Sequence, residues 1–296
     1  MKWVLIDLSY LAHRARYAMS DLEYEDIPTG VMYGFFEQLL ATCKNPPVCS
    51  NKILIFTDSK KSYRQRAFPD YKKKRKENRT PEEQEQIRIM YQQVNKLRDK
   101  ILPKLGIPVY KQVGLESDDL IADAANILTE RKEEAVIITA DGDLYQCISP
   151  YVKWYDPGRE LLMDENAFQE KYGIHPDQWG QVKSLAGCSS DGVPGLPGIG
   201  EKTALKYITG ETVTPKRKET IDNSQEEIKK WEKLVILPHH KTKSVEIKEP
   251  EYKSKLFFKF AEHYNILTYL KPAKREQWIK FFRGNFKGKI KLRKKK

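Results

Sequence analysis

The stretch "AVIITADGD" (residues 135–143) joins an apolar, β-branched run to two acids that follow it directly. Similar runs occur at four other places: "WVLIDL" (3–8), "KILIFTD" (52–58), "IPVYKQV" (107–113) and "YVKWYDP" (151–157). Helical patterns separate them, of which the clearest are 80–102 and 116–132. Strands that alternate with helices predict an α/β fold, with a central, mostly parallel sheet flanked by helices.

Acids fall at the ends of these predicted strands. They are Asp7 and Asp58 in the first two, Glu116, Asp118 and Asp119 after the third, Asp141 and Asp143 after the fourth, and Asp191 further on. Ligands of open α/β sheets bind outside the carboxyl ends of the strands. Carboxylates crowded there need cations between them, and oxygen ligands suit Mg²⁺ or Mn²⁺. Two such ions about 3.5–4 Å apart form a phosphodiester-cleaving site. The alternative for Glu116, Asp118 and Asp119 is a purely structural role at a helix N-terminus.

The composition favours a polyanionic partner. Lys and Arg exceed Asp and Glu by 53 − 41 = 12 in 296 residues, which favours nucleic acid or an anionic membrane as the partner. A solvated basic face is the alternative. The first residues lack a signal-peptide pattern, and no stretch approaches the ~18–20 apolar residues of a membrane span. The four cysteines lack zinc spacing and are expected to be reduced thiols. We therefore expect a cytoplasmic protein that is not secreted.

A basic segment interleaved with aromatic residues covers residues 62–79. Its cations are Arg64, Arg66, Lys72, Lys73, Lys74, Arg75, Lys76 and Arg79, and its aromatic residues are Tyr63, Phe68 and Tyr71. Bases can stack on such rings while the cations neutralise phosphates, and a cation at the scissile phosphate stabilises the transition state. A solvated basic loop remains the alternative.

A glycine-rich loop, "LAGCSSDGVPGLPGIGEKTA" (185–204), precedes a predicted helix. Its glycines, Gly192, Gly195, Gly198 and Gly200, allow a phosphate to approach the backbone closely. The amides at the start of the next helix, with Lys202, favour an anion there. An ordinary glycine-rich turn is the alternative.

These motifs, in this order, resemble the 5′-nuclease family: flap endonucleases, phage 5′-exonucleases and the 5′-nuclease domain of bacterial DNA polymerase I. The resemblance covers about residues 1–240 and rests on "LIDLSYLAHRA", "FTDSKKSYRQ", "PDYKKKR", "GLESDDLIA", "ITADGDLYQ" and "SSDGVPGLPGIGEKTA". It implies a nuclease core at 1–175 with a helical arch at about 60–105. A helix–three-turn–helix at 176–240 and a C-terminal extension with a basic tail at 241–296 would follow.

The resemblance also implies roles for individual residues. The metal ligands would be Asp7, Asp58, Glu116, Asp118, Asp119, Asp141, Asp143 and Asp191. Catalysis would involve Asp7, Asp58, Lys72 and Arg75, the last two at the scissile phosphate, while Tyr71 would stack on a displaced base. The DNA contacts would be Arg14, Arg64, Tyr71, Lys72, Arg79, Gly195, Gly198, Gly200, Lys202 and Thr203.

The implied activity is Mg²⁺-dependent flap endonuclease and 5′→3′ exonuclease cleavage that leaves a 5′-phosphate. Two Mg²⁺ ions would act, with Mn²⁺ expected to substitute, and K⁺ would bind at the helix–three-turn–helix. The expected partners are flapped, branched or 5′-ended DNA and an RNA–DNA hybrid, with a single-strand-binding protein or sliding clamp in replication. We expect no polymerase continuation, as in the free-standing, phage-type members of the family. A monomer is expected.

One departure from the family pattern concerns Cys188, which stands where the family usually has a metal-binding Asp. A thiol is a poor ligand for Mg²⁺. Three interpretations follow: an enzyme with a looser second ion, which we favour, a form of reduced activity, or a branched-DNA-binding protein without cleavage. The glycine-rich loop, which is expected to bind duplex DNA, argues against an RNA-cleaving nuclease. A membrane role would fit the basic tail alone. Near the C-terminus, Trp278 and Phe281 are expected to pack on the core.

Overall fold

The computed structural model describes residues 2–19, 22–77 and 79–286. Its strands are β1 (Trp3–Asp7), β2 (Glu23–Tyr24), β3 (Ile27–Pro28), β4 (Lys52–Phe56), β5 (Val109–Tyr110), β6 (Ala135–Ile138), β7 (Val152–Asp156) and β8 (Leu161–Met163). Its α-helices are α1 (Leu8–Met19), α2 (Gly30–Lys44), α3 (Tyr63–Ala67), α4 (Lys74–Glu77), α5 (Pro81–Lys96), α6 (Leu102–Lys104), α7 (Ser117–Glu130), α8 (Glu165–Tyr172), α9 (Trp179–Ala186), α10 (Glu201–Ile208), α11 (Pro215–Asn223), α12 (Gln225–Val235), α13 (Ser254–His263) and α14 (Pro272–Phe282). The predicted basic tail at 287–296 lies outside the described residues.

Each of the five predicted strand runs contains a strand. The third is reduced to β5, two residues long, which begins directly after Pro108, a residue without a backbone N–H for a sheet ladder. The short strands β2, β3 and β8 were not predicted, because two or three residues carry no measurable periodicity.

The chain divides into two compact units, which are interleaved in sequence. Unit 1 contains the described residues of 1–57, 82–110 and 247–296, and unit 2 contains those of 58–81 and 111–246. The predicted helix–three-turn–helix region, 176–240, therefore falls entirely within unit 2. The predicted arch region is divided between the units at residue 81.

Unit 1 is built on parallel strands. Strand β1 pairs with β4 in the register Val4↔Ile53, and β4 pairs with β5 in the register Ile55↔Val109. The apolar run of β1 is buried over its first four residues, as expected for a strand covered on both faces. Helices α13 and α14 contribute an aromatic core. As predicted, Trp278 is fully buried in it, 4.4 Å from the ring of Phe257.

Unit 2 contains the parallel pair β6 and β7, with β8 added antiparallel to β7. Strand β6 is buried throughout, and α7 buries its apolar stripe, including Leu120 and Leu128. A second apolar cluster joins Tyr71, Val193 and Trp231 from three distant segments. These contacts hold the loop after α9 and the segment after α3 in one unit.

In the part of the chain that the structure describes, no helix has the length and apolar character to cross a membrane.

Candidate active site

Unit 2 gathers acidic side chains from three separate segments. Glu116 precedes α7, Asp141 and Asp143 follow β6, and Asp191 ends a short 3-10 turn after α9. Ligand atoms of Asp143, Cys188 and Asp191 all lie within 4.8 Å of one another. We call Glu116, Asp141, Asp143, Cys188 and Asp191 the acidic centre. The sequence pattern predicted the convergence of its four carboxylates.

Two further acids lie at the N-terminus of α7. Asp58 Oδ1 accepts hydrogen bonds from the backbone N–H of Ser117 at 2.8 Å and from its hydroxyl at 3.0 Å. Asp118 is half-buried in the first turn of the helix, and its charge contributes to the raised pKa of Lys72. Both residues therefore add negative charge next to Glu116.

Lys72 and Arg75 are paired with the acidic centre. Lys72 Nζ donates to Glu116 Oε2 at 2.9 Å and lies 3.6 Å from Asp191 Oδ2. Arg75 donates from Nη2 to Asp191 Oδ1 and from Nε to the carbonyl of Ser190 at 2.8 Å. Burial disfavours the charged form of Lys72, but the surrounding negative groups outweigh it and raise its pKa well above the ordinary value. Lys72 therefore stays protonated and can neutralise an anion.

Backbone contacts fix the position of Lys72. Its N–H donates to the carbonyl of Asp191 at 2.7 Å, and its own φ is +57°. The neighbouring Gly192 has φ +74°, and a Cβ there would meet the carbonyl oxygen of Asp70 at 2.9 Å. A glycine is thus required at 192 because the Asp70–Lys72 segment docks directly on this loop.

Lys183, which the sequence analysis missed, also contacts the acidic centre. Its Nζ lies 3.3 Å from Asp143 Oδ1 and 5.1 Å from the ring centroid of Trp179. Burial opposes its charge, but Asp143 and other negative groups raise its pKa above the ordinary value. Its position in α9 resembles that of any solvated helix lysine, so the sequence pattern carries no signal for it.

The structure gives Tyr71 a different position from the predicted base-stacking one. Its ring is buried in the apolar cluster, with 4% of the residue exposed. Its hydroxyl lies 3.0 Å from both Glu116 Oε2 and Asp191 Oδ2. A ring enclosed in this way presents no free face to a base. Tyr71 instead links two carboxylates of the acidic centre.

The predicted DNA contact of Arg64 and metal contact of Asp119 are not supported by their positions. Arg64 is 2% exposed and forms a two-pronged pair with Asp119, at 2.7 and 2.8 Å. Asp119, with no exposed surface, also accepts from the backbone N–H groups of Glu116 and His239. Burial opposes ionisation of Asp119, but Arg64 outweighs it and holds the pKa below its usual value. The buried Arg64–Asp119 pair therefore has a structural role next to the acidic centre.

Cys188 is held by a short hairpin. Its backbone pairs with Val193 in both directions, at 2.8 and 3.0 Å. Its Sγ lies 3.6 Å from Asp143 Oδ2 and 3.1 Å from Ser190 Oγ. Burial and the nearby carboxylates of Asp143 and Asp191 raise the pKa of the thiol to about 11. The thiol therefore faces the carboxylates directly.

The acidic centre fits divalent metal ions. Asp141, Asp143 and Asp191 supply hard oxygen donors, which Mg²⁺ and Mn²⁺ prefer. Asp141 is exposed as a residue, but partial removal of its carboxylate from water and the adjacent Asp143 carboxylate raise its pKa, as expected where acids crowd together. Lys72, Arg75 and Lys183 balance part of this charge, and a bound cation would compete with them. Asp119 does not fit as a ligand, because it has no exposed surface and its two oxygens are held by Arg64 and by two backbone N–H groups.

The glycine-rich loop has two distinct parts. The backbones of Gly187 and Gly195 pack against each other, since a Cβ on Gly195 would meet the nitrogen of Gly187 at 2.3 Å. A Cβ on Gly198 or Gly200 would meet nothing within 4 Å. Helix α10 begins directly after Gly200, with Lys202 exposed and Thr203 half-buried in its first turn. The open end of the loop is thus the part that an external group can approach.

Three further predicted site residues lie in other elements of the chain: Asp7, Arg14 and Arg79. Asp7 ends β1 in unit 1, where its Oδ1 accepts from the N–H of Ser9 at 2.8 Å. Arg14 lies on α1 in unit 1, with Nη1 3.4 Å from the hydroxyl of Tyr10. Arg79 lies in unit 2 just before α5 and is half-buried.

Comparisons with known proteins agree on one family. A family model described as the 5′-3′ exonuclease, N-terminal resolvase-like domain, matches residues 2–173. The 5′-3′ exonuclease of Buchnera aphidicola subsp. Schizaphis graminum is 29% identical over 258 residues, which cover 87% of this chain and 83% of that protein. The thermostable DNA polymerase I of Thermus thermophilus is 34% identical over 206 residues, 69% of this chain and 23% of the polymerase.

Solved structures share the fold. The bacteriophage T5 flap endonuclease, in a pseudo-enzyme–product complex with DNA and metal ions, superposes with a TM-score of 0.67 at 19% identity. The match covers 80% of this chain and 90% of the T5 protein. The predicted fold class and family resemblance are both confirmed.

Proposed function

The chain belongs to the 5′-3′ exonuclease family, and we propose that its acidic centre is the active site of a structure-specific 5′-nuclease. The substrate would be DNA with a 5′ flap or a 5′ end, cleaved by hydrolysis to leave a 5′-phosphate. The observation that carries this proposal is the arrangement in unit 2. There, carboxylates from three segments converge on Lys72, Arg75 and Lys183.

The metal side of the site would involve two Mg²⁺ ions, with Mn²⁺ as a substitute. When bound, such ions polarise the phosphate and stabilise the charge that develops during hydrolysis. Asp141, Asp143 and Asp191 would hold them, together with Asp58, Glu116 and Asp118. A metal-ligating role for Asp7 remains a proposal from the family resemblance. Asp119 would have a structural role only, since it pairs with Arg64 and accepts from the backbone N–H of Glu116 at the N-terminus of α7.

Lys72 and Arg75 would contact the scissile phosphate. Both are already charged and directed at Asp191, so they can exchange a carboxylate oxygen for a phosphate oxygen. Arg75 is suited to this exchange, because 43% of its side chain is exposed. A phosphate placed there would keep both cations neutralised while a metal ion occupies the carboxylates. Cations directed at the developing charge stabilise the transition state.

The DNA duplex would bind at the open end of the glycine-rich loop. The backbone at Gly198 and Gly200 is accessible, and the first turn of α10 with Lys202 and Thr203 favours a phosphate. K⁺ at this loop and DNA contacts by Arg14 and Arg79 remain proposals from the family resemblance. So do a monomeric state, RNA–DNA hybrids as substrates, and a replication setting in the cytoplasm with a single-strand-binding protein or sliding clamp.

A panel of 3′-labelled duplexes tests the proposal: a 5′ flap, a 3′ flap and a blunt end, each with Mg²⁺, Mn²⁺ or a chelator. We expect cleavage of the 5′ flap near its junction, a 5′-phosphate on the product, and no cleavage with the chelator. Tight flap binding without cleavage in either metal would contradict the proposal. It would favour the alternative, a branched-DNA-binding protein.

A further inference from the structure

One donor in the acidic centre differs in chemistry from the others. Cys188 places a sulfur atom 3.6 Å from Asp143 Oδ2, and both atoms belong to a three-ligand group with Asp191. Only 8% of Cys188 is exposed, and its backbone is fixed by the pairing with Val193. The sulfur is therefore held at the carboxylates.

The spacing of these atoms fits a shared tetrahedral ion. A Zn–S bond of about 2.3 Å and a Zn–O bond of about 2.0 Å, at a tetrahedral angle, separate the two donors by about 3.5 Å. The observed separation of Cys188 Sγ and Asp143 Oδ2 is 3.6 Å. An S–H···O hydrogen bond accounts for the present contact, and little movement is needed for both atoms to bind one ion.

We propose that Cys188 acts as a thiolate ligand, so that the acidic centre binds a thiophilic divalent cation, such as Zn²⁺ or Cd²⁺, more tightly than Mg²⁺. Sulfur ligands select such soft or borderline ions, whereas Mg²⁺ requires hard oxygen donors. This inference deepens the proposed function, because it concerns the metal at the same site.

The neighbouring cations do not account for such a preference. Lys72, Arg75 and Lys183 repel every divalent cation of the same charge, so they lower the affinities for Mg²⁺ and Cd²⁺ together. A preference for Cd²⁺ that Cys188→Ser removes would therefore come from the sulfur donor. Within residues 2–19, 22–77 and 79–286, no other cysteine belongs to a group of three metal-ligating side chains.

The test is a Cd²⁺ titration of the full chain. Binding is monitored by the ultraviolet charge-transfer absorption of a cadmium–thiolate bond. The native protein and a Cys49→Ser control should show a saturable band at one Cd²⁺ per chain. Cys188→Ser should lose the band and bind Cd²⁺ at least about tenfold more weakly, the smaller end of what metal-site changes cost. Its Mg²⁺ affinity, measured by competition, should change by less than about twofold, because a sulfur donor contributes little to Mg²⁺ binding.

A second variant separates loss of a ligand from loss of fold. Cys188→Asp should lose the cadmium–thiolate band but bind Mg²⁺ more tightly than the native chain, with an unchanged circular dichroism spectrum. A band that persists in Cys188→Ser, or no band in the native protein, overturns the inference. Flap cleavage in Mg²⁺ is scored separately. Cleavage without a band contradicts only the inference, and a band without cleavage in Mg²⁺ or Mn²⁺ contradicts only the proposed function.

Discussion

Replacement of Arg64 by alanine should destabilise the protein without removing a DNA contact. The change deletes the two hydrogen bonds to Asp119 and the one to the carbonyl of Leu234, each 2.7–2.8 Å long, and a fourth to the carbonyl of Ile236 at 3.1 Å. It also leaves Asp119, which has no exposed surface, without its counter-ion. Removing one partner of a buried ion pair costs about 3–5 kcal/mol. At about 2–4 °C per kcal/mol, the melting temperature should fall by roughly 6–20 °C.

The assay is thermal and urea denaturation, monitored by circular dichroism. Flap binding is measured in parallel at several salt concentrations. Arg66→Ala is the matched control, because Arg66 is exposed two residues away. Its stability should change by less than about 1 kcal/mol, the upper value for an exposed cation–π contact such as the one it makes with Tyr63. A direct DNA contact by Arg64 would instead leave the stability of Arg64→Ala unchanged, weaken its DNA binding and reduce its salt slope by about one.

Three further predictions concern the same unit. Tyr71→Phe keeps the ring but loses a hydroxyl bonded to two carboxylates, so metal affinity should fall; unchanged metal affinity and cleavage would instead support the base-stacking role. Gly192→Ala should lower stability and cleavage more than Gly198→Ala, because both have positive φ but only Gly192 faces a carbonyl at 2.9 Å; equal urea midpoints would contradict this. The depressed pKa of Asp119 contributes stability above its unfolded pKa of about 3.9 and loses it as pH falls through the folded value. The urea midpoint should therefore drop between pH 5 and pH 3, and less so in Asp119→Asn.

The sequence predicts what depends on local pattern. Continuous apolar runs specify β1, β4 and β6, because buried parallel strands need apolar residues on both faces. Acids that follow such runs converge because the carboxyl ends of parallel strands meet at one edge. Asp141 and Asp143, which follow β6, lie in the acidic centre, as this rule predicts.

Roles that depend on distant contacts could not be predicted. Arg64 and Lys72 are both cations of one basic segment, and the sequence pattern gives no reason to assign them different roles. What separates them is the carbonyl of Leu234, 170 positions away, which accepts from Arg64 inside unit 2. Tyr71 is buried for the same kind of reason, since Trp231 and Val193 reach it only in the folded unit. The interleaving of the two units likewise leaves no local signal at residues 57 and 81.

The most direct test of the central claim is single-turnover cleavage of a bound 5′ flap, started by Mg²⁺, for the native chain and Asp143→Asn. Asp177→Asn is the matched control, because this acid is largely exposed and pairs only with His175 among the contacts described. We expect rapid cleavage by the native chain and the control. For Asp143→Asn we expect flap binding with a rate lower by more than about a hundredfold, beyond the 10–100-fold cost of changing a residue that only supports a ligand. Undiminished cleavage by Asp143→Asn would contradict the assignment of the acidic centre as the active site.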